Sequence, residues 1–160
     1  MFFEFLYWTV GRLIKWIFRL QPEGLENLPR HGVLLCPNHA SNWDPVLIGV
    51  CLPHNYHLRI MAKEALFHNK ALAWLIRKLG AFPVTRGTAD IQSVKTAMQV
   101  IKDGQNLLLF PEGTTIRNGL GYVDGLPPHA HSGIAVIGVR SGATLLPVFA
   151  DGPKKPFHKH

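Results

Sequence analysis

The sequence predicts an α/β domain, a mixed, largely parallel sheet flanked by helices, preceded by one amphipathic helix. Three observations predict it. Short apolar runs at residues 33–36, 58–62, 81–85, 107–110 and 145–149 alternate with stretches of helical length. The runs and helical stretches are punctuated by Pro, Gly or polar clusters. A chain of 160 residues, 47% hydrophobic, can bury one sizeable core but not two comfortable ones.

Residues 1–20 form the first element. On a helix, Glu4, Arg12, Lys15 and Arg19 fall on one stripe, and the rest of the circumference is aromatic and aliphatic. A basic stripe beside a broad apolar face suits a helix lying in a membrane interface. Each cation would contribute about 1 kcal/mol near an anionic leaflet. An apolar face can equally pack on a core, but Trp8 and Trp16 carry rings suited to the headgroup level. No other segment has the length and apolarity of a span, so the expectation is a monotopic arrangement.

A Pro- and Gly-containing connector, residues 21–32, leads to the strand at 33–36, which Pro37 ends. Asp44-Pro45 opens a helix to about Cys51, since Asp can cap and Pro suits the first turn. A strand at 58–62 precedes a helix at 71–79 stopped by Gly80. The strand at 81–85 carries Pro83, and Thr88 or Asp90 caps the next helix, which ends at Asp103-Gly104. The strand at 107–110 stops at Pro111, and a helix at 132–139 stops near Gly142. The last strand holds Pro147 inside it, which requires an edge position or a bulge. In such a sheet, chemistry gathers in the loops at strand ends.

Lys and Arg outnumber Asp and Glu by 17 to 10, and the pI is about 9.7. That balance favours an acidic partner. No run of interleaved Lys and Arg and no aromatic signature of the common modules is present, so nucleic acid is not expected. Cys36 and Cys51 form no Cys-x-x-Cys pair and sit in apolar surroundings, which suits reduced, buried thiols. The N-terminus has no basic n-region and no small-residue cleavage site, which points to a cytosol-facing protein.

Polar clusters follow three of the strands. In Asn38-His39-Ala40-Ser41-Asn42-Trp43-Asp44, a His in a turn with an Asp five residues on can fold back into an imidazole–carboxylate pair. Spacing alone leaves open an Asp that merely caps its helix. Arg86, at the end of the 81–85 strand and followed by Gly87, is placed to hold a phosphate by two parallel bonds, or is an ordinary surface Arg. Phe110-Pro111-Glu112-Gly113-Thr114-Thr115-Ile116-Arg117 brings a carboxylate, exposed backbone N–H groups, a hydroxyl and a cation out of one strand end. It reads as a polar binding loop or as a plain Gly-containing turn.

In this order and spacing the clusters resemble the blocks of the glycerolipid acyltransferase family, with its bacterial 1-acylglycerol-3-phosphate acyltransferases most similar. Asn38-His39 with Asp44 matches NHxxxxD, Gly80 to Arg86 the GAFPVxR form of the second block, and Phe110 to Thr114 FPEGT. Pro147 ends the fourth block. The stretch Ile60-Met61-Ala62-Lys63-Glu64 also resembles a family segment whose Lys lies near the acceptor phosphate. Many members continue FPEGT with Arg-Ser, whereas this chain has Thr115-Ile116, so the motif does not fix the acceptor headgroup. Relatives generally run on past the last block; either a C-terminal piece is missing or this is a minimal version.

The resemblance implies an acyltransferase domain over residues 21–160 that moves a fatty acyl group to the free hydroxyl of 1-acylglycerol-3-phosphate. His39 would be general base and Asp44 its partner. Lys63, Arg86, Glu112, Gly113, Thr114 and Arg117 would bind the acceptor. The donor would be acyl-CoA or acyl carrier protein and the acceptor a lysophospholipid. No cofactor is implied, and the site would face an anionic membrane surface on the cytoplasmic side. A Ser or Cys hydrolase lacks a Gly-x-Ser-x-Gly elbow. Metal binding through Cys51, His54 and His57 lacks a fourth ligand and is interrupted by Pro53. A non-catalytic lipid-binding protein of the same fold is separable only by assay.

Overall fold

The computed structural model describes residues 7–84, 91–113 and 132–150. Five strands form one sheet: β1 (Val33–Pro37), β2 (Leu58–Lys63), β3 (Ala81–Val84), β4 (Asn106–Leu108) and β5 (Thr144–Val148). Their order across the sheet is β3-β2-β4-β1-β5, and all four pairings are parallel. The sheet described is therefore purely parallel rather than mixed. The helices are α1 (Arg12–Phe18), α2 (Asp44–Cys51), α3 (Lys70–Lys78), α4 (Ile91–Lys102) and α5 (Gly133–Ser141).

Alternation along the strands assigns the two faces. Leu34 and Leu107 point to one side, where Ala97, Val100 and Ile101 of α4 and Ile137 of α5 cover them. Val33, Leu35 and Leu108 point to the other, where Ile48 of α2 and Leu52 cover them together with Phe110. Strands buried on both faces read as near-continuous apolar runs, which is why 33–36 stood out in the sequence. Asn106, 1% exposed, ties the strand starts together: its Oδ1 accepts from Val33 N–H at 3.2 Å and its Nδ2 donates to the Arg30 carbonyl at 3.0 Å. Pro83 and Pro147 lie on the two edge strands, where a missing N–H costs no ladder bond on the open side.

Gly80 is required where it stands. It joins α3 to β3 at φ 87°, and a Cβ there would lie 2.4 Å from the Leu58 carbonyl oxygen. Asn69 caps α3, its Oδ1 accepting from the N–H groups of Ala71 and Leu72.

Of the N-terminal element expected over residues 1–20, residues 7–20 are described. A π-type turn over Tyr7–Gly11 leads into α1, which ends at Arg19 in the left-handed region, φ 49°. Residues 1–6, with Glu4, lie outside the described residues. Helix α1 runs antiparallel along α2. Phe18 meets Trp43 at the start of α2, with ring centroids 6.4 Å apart, and Trp8 meets His54 just past its end, at 6.1 Å. Ile14, Lys15 and Phe18 are half-buried, whereas Leu13 (53% exposed) and Trp16 (78%) face away from the domain. Among the described residues no helix is long and apolar enough to cross a membrane.

Candidate active site

Parallel strands deliver all their C-terminal ends to one rim, and β4, β1 and β5 are adjacent there. Residues 38–44 leave β1, residues 110–113 follow β4, and Ala150 follows β5. The site is assembled from these three exits.

His39 and Asp44 are paired. The imidazole Nδ1 lies 3.1 Å from Asp44 Oδ2, with the residues 8% and 1% exposed. Asp44 therefore does not act as the expected helix cap. Trp43 occupies the cap position of α2 without a side-chain bond, and Asp44 is the first helical residue. Its carboxylate turns back into the loop instead, where Oδ2 also accepts from Ser41 N–H at 2.7 Å. That second bond fixes the carboxylate independently of the imidazole.

The imidazole is held on two further sides. Its ring stacks on Phe110, with centroids 4.0 Å apart and planes inclined 25°. The backbone N–H of His39 donates to Glu112 Oε2 at 2.9 Å, joining the β1 and β4 exits. Gly113, at φ 65°, closes that second loop by donating its N–H to the Phe110 carbonyl at 3.1 Å.

Asn38 fastens the third exit. Its Oδ1 accepts from Ala150 N–H at 2.7 Å and its Nδ2 donates to the Ala150 carbonyl at 3.0 Å, a two-bond clasp between residues 112 apart in sequence. The sequence placed Asn38 and Phe110 in motifs but gave neither a role. Their positions directly after strands were the available signal, yet their partners, Ala150 beyond β5 and the His39 ring, are visible only in three dimensions.

The remaining candidates divide by location. Lys63 ends β2, is exposed, and pairs in register with Val84 of β3. β2 lies two places from β1, about 10 Å across the rim at the usual strand spacing. Arg86, Thr114 and Arg117 lie outside the described residues. Among the described residues no three His, Cys, Asp or Glu side chains converge as a metal site, and Cys51, His54 and His57 are not so grouped. Burial pushes the thiols of Cys36 and Cys51 up from their usual range, and Lys15 partly offsets this at Cys51.

A His–Asp pair at the rim of a parallel sheet suits several acyl-transfer chemistries, and comparison with known proteins decides among families. The family model described as "Acyltransferase" matches residues 19–150. The chain belongs to the acyltransferase family. It is 37% identical over 91 residues to a 1-acyl-sn-glycerol-3-phosphate acyltransferase of Bacillus subtilis, covering 56% of this chain and 45% of the relative. A protein of the same name from Streptococcus pneumoniae is 28% identical over 130 residues, covering 81% and 45%. A lyso-ornithine lipid O-acyltransferase of Pseudomonas aeruginosa is 31% identical over 110 residues, covering 68% and 40%. The chain thus spans less than half the length of these relatives. The crystal structure of the acyltransferase PlsC from Thermotoga maritima shares its fold, with a TM-score of 0.62 and 22% identity over 91% of this chain and 55% of that one. Within this acyltransferase domain, the clasp, the stack and the Glu112 bond all converge on the loop that carries the dyad.

Proposed function

We propose that the chain catalyses transfer of a fatty acyl group from acyl-CoA or acyl carrier protein to the free glycerol hydroxyl of 1-acylglycerol-3-phosphate, giving phosphatidic acid. The observation that carries this reading is the buried 3.1 Å contact between His39 Nδ1 and Asp44 Oδ2. With Nδ1 turned to the carboxylate, Nε2 is the ring nitrogen that takes the hydroxyl proton. The oxygen attacks the thioester carbonyl, the C–S bond breaks, and the imidazolium returns its proton to the departing thiolate. Asp44 stabilises the transient imidazolium, as a buried carboxylate does in hydrolase triads. No protein nucleophile is needed. Such a base supplies about 10²–10⁴-fold, and alignment of acceptor and donor supplies much of the rest.

Acceptor binding is assigned to Arg86, Lys63, Gly113, Thr114 and Arg117, with Glu112 bracing the same loop. A fork-shaped guanidinium at a strand end matches two phosphate oxygens. Membrane attachment is assigned to residues 1–20 on the cytoplasmic face, a reading supported by the outward Leu13, Trp16 and Ile17.

Thr115-Ile116 after FPEGT, and similarity to a lyso-ornithine lipid O-acyltransferase, favour one second reading, in which the acceptor is another lysolipid. The test is to incubate purified protein with a panel of lysolipids and both donor types and identify products by mass. Phosphatidic acid as the dominant product supports the first reading, and a different dominant product supports the second. No turnover with any pair would leave a non-catalytic lipid-binding protein.

A further inference from the structure

Two things place an imidazole: the direction in which the backbone presents it and the rotation of its ring. Asp44 and Phe110 act on the His39 ring, through Nδ1 at 3.1 Å and through the stacked face. The backbone from which that side chain springs is held by other groups. It starts where the sheet pairing stops. Pro37 is the last residue of β1 paired with β5, opposite Val148, and it has no N–H with which to carry the pairing on. Past it the main chain leaves the sheet as the loop over residues 38–44.

Asn38 extends the pairing with its side chain. A primary amide presents a carbonyl and an N–H in one plane, as a peptide group does. Both are used on Ala150: Oδ1 accepts from its N–H at 2.7 Å, and Nδ2 donates to its carbonyl at 3.0 Å. From the other side, His39 N–H donates to Glu112 Oε2 at 2.9 Å. Because β1 lies between β4 and β5, the Asn38–His39 junction is gripped from the exits of both neighbouring strands.

The same amide device serves a purely structural purpose elsewhere. Asn106 accepts from Val33 N–H and donates to the Arg30 carbonyl at the strand starts, the opposite end of the sheet from the rim. Asn38 differs in what stands beside it. A single peptide link joins it to His39, so freedom gained at Ala150 passes directly to the imidazole.

We propose that Asn38 is a positioning residue of the transfer reaction: together with Glu112 it sets the direction of the His39 side chain, and so the place of Nε2, by tying the start of the loop to the exit of β5. As a statement about the reaction it rests on the reading of His39 as general base. As a statement about where His39 is held it does not.

The experiment compares the full chain with Asn38→Ala, Glu112→Ala, the double variant, and Asn69→Ala. The last removes two cap bonds of α3 and controls for loss of stability alone. Proton–nitrogen correlation spectra of the imidazoles, with His39 identified by the signal lost in His39→Ala, report the ring without any substrate. Nδ1 faces a carboxylate, so wild type is expected to hold the tautomer protonated there. In Asn38→Ala the two His39 nitrogen shifts should move towards each other as the loosened ring samples both tautomers, and in Asn69→Ala they should stay. Kinetics use the donor and lysolipid that give most product. Asn38→Ala should lose about a hundredfold in kcat with the acceptor KM within about threefold of wild type, the split produced when a reacting group is misplaced and binding is kept. The double variant should lose about as much as the worse single one, since either change frees the same junction. Asn38→Gln keeps both bonding groups on a longer arm and should fall between wild type and Asn38→Ala; if the alanine variant does not fold, it carries the same comparisons.

His39 shifts that are the same in the Asn38 variants and wild type would overturn the proposal, whatever the rate. So would a loss of kcat no greater than that of Asn69→Ala, or losses that multiply in the double variant, which would make Asn38 and Glu112 independent. A wild type that turns over no lysolipid would overturn the acyl-transfer reading instead, and the imidazole shifts would still decide whether Asn38 places His39.

Discussion

Glu112 holds His39 by its backbone: the His39 N–H donates to Glu112 Oε2 at 2.9 Å across 73 residues of sequence. The carboxylate that the motif suggested for the acceptor thus has one oxygen committed to the loop that carries His39 and Asp44. Glu112→Gln keeps an oxygen for that N–H, whereas Glu112→Ala does not. The alanine variant is expected to lose about a hundredfold or more in kcat, the cost of misplacing a catalytic group by about an ångström. The glutamine variant should stay within about tenfold of wild type. Equal losses in both would mean that the charge of Glu112, rather than its hold on the loop, is what the reaction uses.

His39→Ala is expected to abolish transfer while the protein remains folded. Asp44→Asn should lose about 10²–10⁴-fold, because an amide can hold the ring but cannot stabilise the imidazolium. Ser41→Ala and Cys36→Ala should retain most activity; Ser41 contributes to the dyad through its backbone N–H, which the substitution keeps. Mixing enzyme with radiolabelled donor and no acceptor, then denaturing, should leave no label on protein. A stoichiometric acyl-enzyme that disappears in either variant would replace direct transfer with a covalent mechanism.

Arg86→Ala is expected to raise the acceptor KM or lower kcat/KM by more than Arg117→Ala does. Steady-state kinetics with varied lysophosphatidate at saturating donor measure both. The reverse order would put the phosphate against the loop after β4.

Removal of residues 1–20 should release the protein from anionic vesicles with a modest stability cost, since Ile14 and Phe18 are only half-buried. Flotation with vesicles and thermal melting report the two effects. Undiminished binding after truncation would assign α1 to the core.

Stability should fall on the alkaline side. Burial raises Cys36 and Cys51, with Lys15 partly offsetting Cys51, and pushes Tyr56 up to about 12 from 10.0. The folded protein therefore keeps these protons after the unfolded chain has released them. The contribution is full below the unfolded pKa values and is lost as pH climbs towards the folded ones. Urea midpoints should begin to drop near pH 9, the ordinary value for the thiols, and drop further between 10 and 12. Tyr56→Phe should flatten the second part of that fall; an unchanged curve would remove Tyr56 from the account.

By itself the sequence determined the class and the rim on which chemistry gathers. Runs such as 33–36 are apolar on both strand faces, a pattern that a doubly covered parallel strand imposes locally, and Gly80 and the prolines mark ends by their own backbone restrictions. The family motifs named His39 and Asp44 because five residues of loop keep both partners in one stretch of chain. Tertiary structure alone decided that Asp44 turns away from its helix towards His39, that Phe110 stacks on the ring, and that Asn38 clasps Ala150. It also decided which side of α1 faces outward. These relations depend on which strands are neighbours, here β4, β1 and β5. Strand order is set by how helices pack the two faces together, a sum over distant contacts that no local pattern of residues encodes.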